Sequence, residues 1–135
     1  MSNGESECLN KPHILVVEDN PVAATVQKML LVSLNCEVDI AVTGEEAFDL
    51  SKKVHYDLIL MDLGLPGIDG IQACEAIRKY EQDTQKTTAP MVAVTANADP
   101  QQHLLCIQAG MNDVITKPLT ADKAQHILSI LKSNS

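Results

Sequence analysis

Three carboxylates, a hydroxyl and an ammonium group stand directly after, or at the end of, short apolar runs in this chain. Glu18-Asp19 follow Ile14–Val17, Asp62 follows Leu58–Met61, Thr95-Ala96 follow Met91–Val94, and Lys117-Pro118 follow Val114–Thr116. Carboxylates brought together repel: two of them about 4 Å apart cost roughly 4 kcal/mol at an effective dielectric near 20. Such a group needs a cation or a proton to compensate it. Hard oxygen ligands with open positions suit Mg²⁺ (or Mn²⁺), which keeps several waters and favours sites shared with phosphate. A carboxylate is also a nucleophile toward phosphorus, and the product is an aspartyl phosphate. The needs of phosphoryl transfer are then met one by one. Asp62 attacks, the metal neutralises charge on one side, and the Lys117 ammonium does so on the other. The Thr95 hydroxyl and the Ala96 amide are left for the remaining phosphoryl oxygens.

These groups meet only if the runs before them are neighbouring strands. Five runs qualify: Ile14–Val17, Val38–Val42, Leu58–Met61, Met91–Val94 and Val114–Thr116. The first, third and fourth are nearly all apolar, as strands buried on both faces of a parallel sheet should be. Helical segments lie between them, each with a start signal. Asn20-Pro21 supplies an N-cap and first-turn proline ahead of Val22, Val26 and Met29. Thr43 with Glu46 is a capping-box pattern ahead of Ala47, Leu50 and Val54. Asp69 caps a helix carrying Ala73, Cys74 and Ile77; Asp99-Pro100 repeats the cap-then-proline device; Thr120 opens a helix striped by Ala124, Ile127, Leu128 and Leu131. Glu81–Thr88 reads as a mobile loop after the third helix. Five βα units predict an α/β, flavodoxin-like fold with helices on both faces of a five-stranded parallel sheet in the order 2-1-3-4-5. The ligand site of that fold lies beyond the strands' carboxyl ends, at the switch between strands 1 and 3, where Glu18, Asp19 and Asp62 converge.

The composition sets limits. At 135 residues the chain holds about one domain. Its 45% hydrophobic and 21% charged content is that of a globular protein. Eighteen acids against ten bases leave a net charge of −8, which argues against direct binding of nucleic acid. One Phe, two Tyr and no Trp offer no stacking platform for single strands. Cys8, Cys36, Cys74 and Cys106 are too scattered for a zinc site and fit buried thiols in a reducing compartment. No apolar run approaches the roughly 18 residues of a membrane span. The leader MSNGESECLNKP is unlike a signal peptide, so the domain reads as cytoplasmic, without membrane contact. Residues 1–11 are expected to be a disordered leader or linker, 12–132 the domain, and 133–135 a disordered tail. The leader reads equally as a native start, a linker fragment or an added segment.

No Ser/His/Asp set and no GxxxxGK[ST] loop is present, and Gly64, Gly67 and Gly70 do not form GxGxxG. The set VVEDN, LILMDLGLPGIDG, VAVTANA and GMNDVITKPL instead resembles the receiver domain of two-component response regulators, over about Pro12 to Leu131. The resemblance implies that Asp62 accepts a phosphoryl group from a phosphohistidine of a histidine kinase or histidine phosphotransfer protein. It implies that Asp19 binds Mg²⁺ directly, Glu18 directly or through water, and Gly64 through its backbone carbonyl. Residues matching Thr95 and Lys117 contact the phosphoryl group in that family, and the bond matching Lys117–Pro118 is usually cis. VEDN, the glycine after the phosphoacceptor, and TANA are most similar to receivers fused to sensor histidine kinases. A stand-alone regulator and a degenerate receiver serving only as an interaction module are the alternatives, and the complete acid, threonine and lysine set opposes the second. An aspartyl phosphatase would need an acid where Gly64 stands; a flavodoxin-like cofactor binder would need a phosphate loop where Glu18-Asp19-Asn20-Pro21 stands.

Output is expected through the face formed by the fourth helix, fifth strand and fifth helix, because Thr95 leads into the fourth helix. The family usually has Tyr or Phe three residues before the lysine; here it is Val114, which puts the aromatic readout in question. The remaining residues take ordinary roles. His13, His55, His103 and His126 suit surface or interface positions. Met29, Met61, Met91 and Met111 read as core or near-core filler. Pro66, Gly67 and Gly70 serve turn and helix-start geometry.

Overall fold

In the computed structural model, which describes residues 11–65, 67–97 and 99–133, strands and helices alternate five times. The order is β1 (His13–Val17), α1 (Pro21–Ser33), β2 (Glu37–Ala41), α2 (Gly44–Lys53), β3 (Leu58–Asp62), α3 (Gly70–Thr84), β4 (Met91–Thr95), α4 (Pro100–Ala109), β5 (Asp113–Thr116) and α5 (Ala121–Ser133). All pairings are parallel and the strand order is β2-β1-β3-β4-β5. This is the expected flavodoxin-like architecture.

Alternation along each strand splits the core into two layers. Leu15, Val17, Ile59, Met61, Met91 and Ala93 pack with Ala73, Cys74, Ile77 and Cys106 of α3 and α4. Ile14, Val16, Leu58, Leu60, Val92 and Val94 face Leu31 of α1 and Ala124 and Ile127 of α5. Every expected N-cap side chain bonds its helix, although the Thr43–Glu46 box is not closed, because the Glu46 carboxylate accepts from the Val42 amide. The side chains of Asn20, Thr43, Asp69, Asp99 and Thr120 accept from the amides of Ala23, Glu46, Gln72, Gln102 and Lys123. Each cap ends a strand-to-helix turn and so fixes where its helix leaves the sheet's carboxyl edge.

Several expectations need correction. Strand β2 ends at Ala41, because its partner β1 ends at Val17 and the Val42 amide turns to the Glu46 carboxylate at 2.8 Å. Glu81–Thr88 is not a free loop: α3 runs to Thr84, and the buried Glu81 carboxylate accepts from Arg78 at 2.8 Å and the Ala89 amide at 2.9 Å. Helix α1 buries Ala24, Gln27 and Leu31, while Val22, Val26 and Met29 are 73%, 46% and 65% exposed. Met29 is therefore not core filler, whereas Met61, Met91 and Met111 are buried. The cap at Asn20 sets the helix's rotation, and it turns Gln27 rather than Val26 toward the sheet. His13 is half-buried and bonds Asp39 at 2.9 Å; the other three histidines are exposed. Cys36, Cys74 and Cys106 are buried free thiols, as expected. Cys8, Pro66, all of the leader except Lys11, Asn134-Ser135 and the Leu131 side chain lie outside the described residues. Ser133, placed in the tail from the sequence, ends α5.

Candidate functional site

The carboxyl edge gathers its polar groups because the register brings the strand ends level. Val17 pairs with both Ala41 and Met61, so Glu18 and Asp62 leave adjacent strands side by side. Both are almost fully buried, at 1% and 3% exposure, while Asp19 is exposed. Each of Glu18, Asp19 and Asp62 offers one carboxylate oxygen within 4.8 Å of the others. Lys117 enters from the far side after β5, its Nζ 3.3 Å from Glu18 Oε1 and 3.2 Å from Asp62 Oδ1. Its backbone amide donates to the Thr95 carbonyl at 2.7 Å, and the Lys117–Pro118 bond is cis.

Further donors hold the acids. The Gly64 amide donates to Asp62 Oδ1 at 3.0 Å, Asn20 N to Glu18 Oε2 at 3.3 Å, and Gln27 Nε2 to Glu18 Oε1 at 3.3 Å. Burial, with Asp62 beside it, pushes the Glu18 carboxyl above its ordinary value. Burial works to lower Lys117, but the facing Asp62 and Glu18 outweigh it and raise the ammonium's pKa. The lysine stays charged, held between two acids.

Of the residues singled out in the sequence, Glu18, Asp19, Asp62, Gly64 and Lys117 come together. Thr95 ends β4 one step beyond Val94, the register partner of Asp62. Its buried hydroxyl donates to Gln102 Oε1 at 2.9 Å, and Ala96 beyond it is exposed. Val114 lies half-buried in β5, opposite Ala93 and against the α3–α4 layer. Gln27 and Gln102 escaped the sequence reading. The signal for Gln27 was a polar side chain on the stripe that also carries Ala24 and Leu31.

A parallel α/β sheet with an acidic, lysine-bridged cleft at its switch point belongs to the flavodoxin-like class of site. Within it, the model of the response regulator receiver domain matches residues 14–129, and the chain belongs to that family, as a receiver domain of two-component signalling. It is 38% identical over 109 residues to the sensor protein GacS of Pseudomonas syringae pv. syringae, covering 81% of this chain and 12% of that protein. The chain thus spans about an eighth of that relative. The receiver domain of sensor histidine kinase PA1611 from Pseudomonas aeruginosa PAO1 is similar in structure, with TM-score 0.80 and 39% identity over 91% of this chain and 98% of that one. That structure has a magnesium ion coordinated in its active site cleft. A chain from the complex of the Saccharomyces cerevisiae phosphotransfer protein Ypd1 with the receiver domain of Ssk1 matches with TM-score 0.79 and 30% identity, over 88% of this chain and 84% of that one. No described helix is long and apolar enough to cross a membrane.

Proposed function

We propose that Asp62 accepts a phosphoryl group from a phosphohistidine and that the resulting aspartyl phosphate switches the domain's partners. The observation that carries this reading is the position of Asp62, at 3.2 Å from Lys117 and beside Glu18 and Asp19. The three carboxylates are a hard-oxygen set fitting Mg²⁺ or Mn²⁺, with Asp19 open to the waters such an ion keeps. Glu18, Asp19, Asp62 and the Gly64 carbonyl would hold it. When bound, the ion supplies positive charge against the phosphoryl oxygens. The chain's own residues do the rest: Asp62 attacks, Lys117 neutralises the opposite side, and Thr95 and the Ala96 amide bind the other oxygens. The domain assists its own phosphorylation and turns over no metabolite.

A protein donor fits the surroundings. Helix α1 starts two residues after Asp19 and exposes Val22, Val26 and Met29, an apolar strip beside the site. The partner is a histidine kinase or histidine phosphotransfer protein, and the likeness to GacS and PA1611 supports an origin in a hybrid sensor histidine kinase. The net charge of −8 opposes direct nucleic-acid binding, and the buried free thiols Cys36, Cys74 and Cys106 suit a reducing, cytoplasmic compartment. Output passes through the α4–β5–α5 face, muted by Val114.

Intact-mass measurement after treatment with a small phosphodonor and Mg²⁺ tests the reading. One phosphoryl group, removed by hydroxylamine, is expected on the wild type and none on Asp62→Asn. Asp19→Ala should lose metal binding and label steeply more slowly. Undiminished labelling of the Asp62→Asn variant, or a labelling rate indifferent to chelator, would sink the assignment of nucleophile or of metal respectively.

A further inference from the structure

Two helices of this protein begin with the same device, an Asp cap followed three residues on by Gln, yet they use it differently. In α3 the box is closed: the Asp69 side chain accepts from the Gln72 amide at 2.9 Å, and the Gln72 side chain accepts from the Asp69 amide at 3.0 Å. In α4 only half is made. Asp99 accepts from the Gln102 amide at 2.7 Å, but Gln102 Oε1 reaches back to the end of β4 and accepts the Thr95 hydroxyl at 2.9 Å. Thr95 is buried, and its oxygen also receives the Asn97 amide at 3.3 Å.

We infer that Gln102 is a positioning residue, a latch that holds the Thr95 hydroxyl in the unphosphorylated domain and returns to its own helix cap when Thr95 turns to the phosphoryl group. The inference rests on the phosphoacceptor reading of Asp62. Its physical basis is proton counting. A threonine hydroxyl has one hydrogen to give. Gln102 Oε1, at 2.9 Å, is nearer than the hydroxyl's other acceptor, the Asn97 carbonyl at 3.4 Å; a phosphoryl oxygen competes for the same hydrogen, and a charged acceptor makes the stronger bond. Once released, Gln102 Oε1 has a second partner in reach of the motif, the Asp99 amide, as the closed box at α3 demonstrates. The element is therefore bistable, and the phosphoryl group biases it. Because Val114 cannot supply an aromatic side chain, this exchange is the route by which Thr95 acts on the first turn of α4.

The test uses the full chain with Mg²⁺ and the phosphoryl mimic beryllofluoride, comparing wild type, Gln102→Met, Thr95→Val and the double variant. Methionine keeps the length and helix propensity of glutamine but is a weak acceptor. Losing one buried hydrogen bond changes an equilibrium by up to about 12-fold, and the restored box returns part of that in the wild type, so Gln102→Met should bind the mimic about 2- to 5-fold more tightly. That gain should vanish in the Thr95→Val background, and the mimic should slow exchange of the Asp99 amide proton in the wild type but not in Gln102→Met. A purely structural Gln102 moves neither readout. If Gln102→Met unfolds, Gln102→Ala is read in the same way. Equal affinities, or a gain that persists without the Thr95 hydroxyl, overturn the latch while leaving Asp62 as acceptor. A wild type that binds no mimic overturns the phosphoacceptor reading and the latch together.

Discussion

Gly70→Ala places a methyl group where β3, the strand that ends in Asp62, turns into α3. A Cβ at Gly70 would sit 2.5 Å from the carbonyl oxygen of Asp62 itself, 3.0 Å from Leu63 Cα and 3.0 Å from Met61 Cγ. The first two are backbone atoms and cannot rotate away. Relief to the 3.5 Å of ordinary contact needs a shift of roughly 1 Å between α3 and the end of β3. Overpacking of this kind costs about 1–3 kcal/mol, with backbone contact at the upper end. The replacement of glycine by alanine returns about 0.4–1 kcal/mol through the unfolded chain. The net is a loss of about 2 kcal/mol, or about 6–10 °C in Tm for a domain of this size. A displacement of about 1 Å at a reacting group can cost on the order of 100-fold in rate, so phosphodonor labelling of Asp62 should slow by roughly 10- to 100-fold. The control for stability, not for labelling, lies in the same loop. A Cβ at Gly64 meets only Asp62 Oδ1, at an ordinary 3.8 Å. Thermal unfolding followed by circular dichroism, with labelling rates by intact mass, measures both variants. A Gly70→Ala protein with Tm within about 2 °C of the wild type and an unchanged labelling rate would refute the reasoning.

Two further outcomes follow from buried groups. Burial pushes the Cys74 thiol up to about 11, and Cys36, Cys106 and Tyr56 move in the same direction. Since the folded value lies above the unfolded one, this stability is complete below about pH 9 and is lost as pH rises toward 11, by at most roughly 2.7 kcal/mol for Cys74; urea midpoints that stay flat over that range would contradict it. With Val114 in place of an aromatic ring, amide NMR shifts caused by the mimic should be small over Ile107–Ala109 and Val114–Thr116 and larger beside Asp62, Thr95 and Gln102. Equal shifts across β5 would show that an aromatic side chain is not needed for the readout.

The elements and the station of each charged group were legible because they rest on local chemistry. Five caps sit on the residues that signal them, and strand ends carry the acids and the lysine whatever the detailed packing. What the sequence withheld is rotation. Val22, Val26 and Met29 have helical spacing, but spacing alone does not say which stripe of an apolar helix faces the sheet. The Asn20 cap and the Gln27–Glu18 bond decide it. Polar groups that bury by pairing were equally invisible. Glu81 reads as loop until Arg78 and the Ala89 amide are seen against it, and Gln102 reads as an exposed helix residue until Thr95 is found at its end.

The same pairing logic explains why the site is built as it is. Three carboxylates face one ammonium, so the pocket carries more negative than positive charge. Glu18 and Asp62 cannot escape to water, and each leans on Lys117 and on a backbone amide, from Asn20 and Gly64 respectively. A buried charge that loses its partner is costly, which makes Lys117 the hinge of the arrangement. If Asp62 takes a phosphoryl group, as proposed, the added charge draws on a bound cation and the Ala96 amide, and also on two groups now engaged elsewhere: Lys117 on the acids and Thr95 on Gln102. On the proposed reading, phosphorylation is therefore not a local event. It would redistribute the contacts that tie β1, β3 and β5 to one another through Lys117 and β4 to α4 through Thr95 and Gln102.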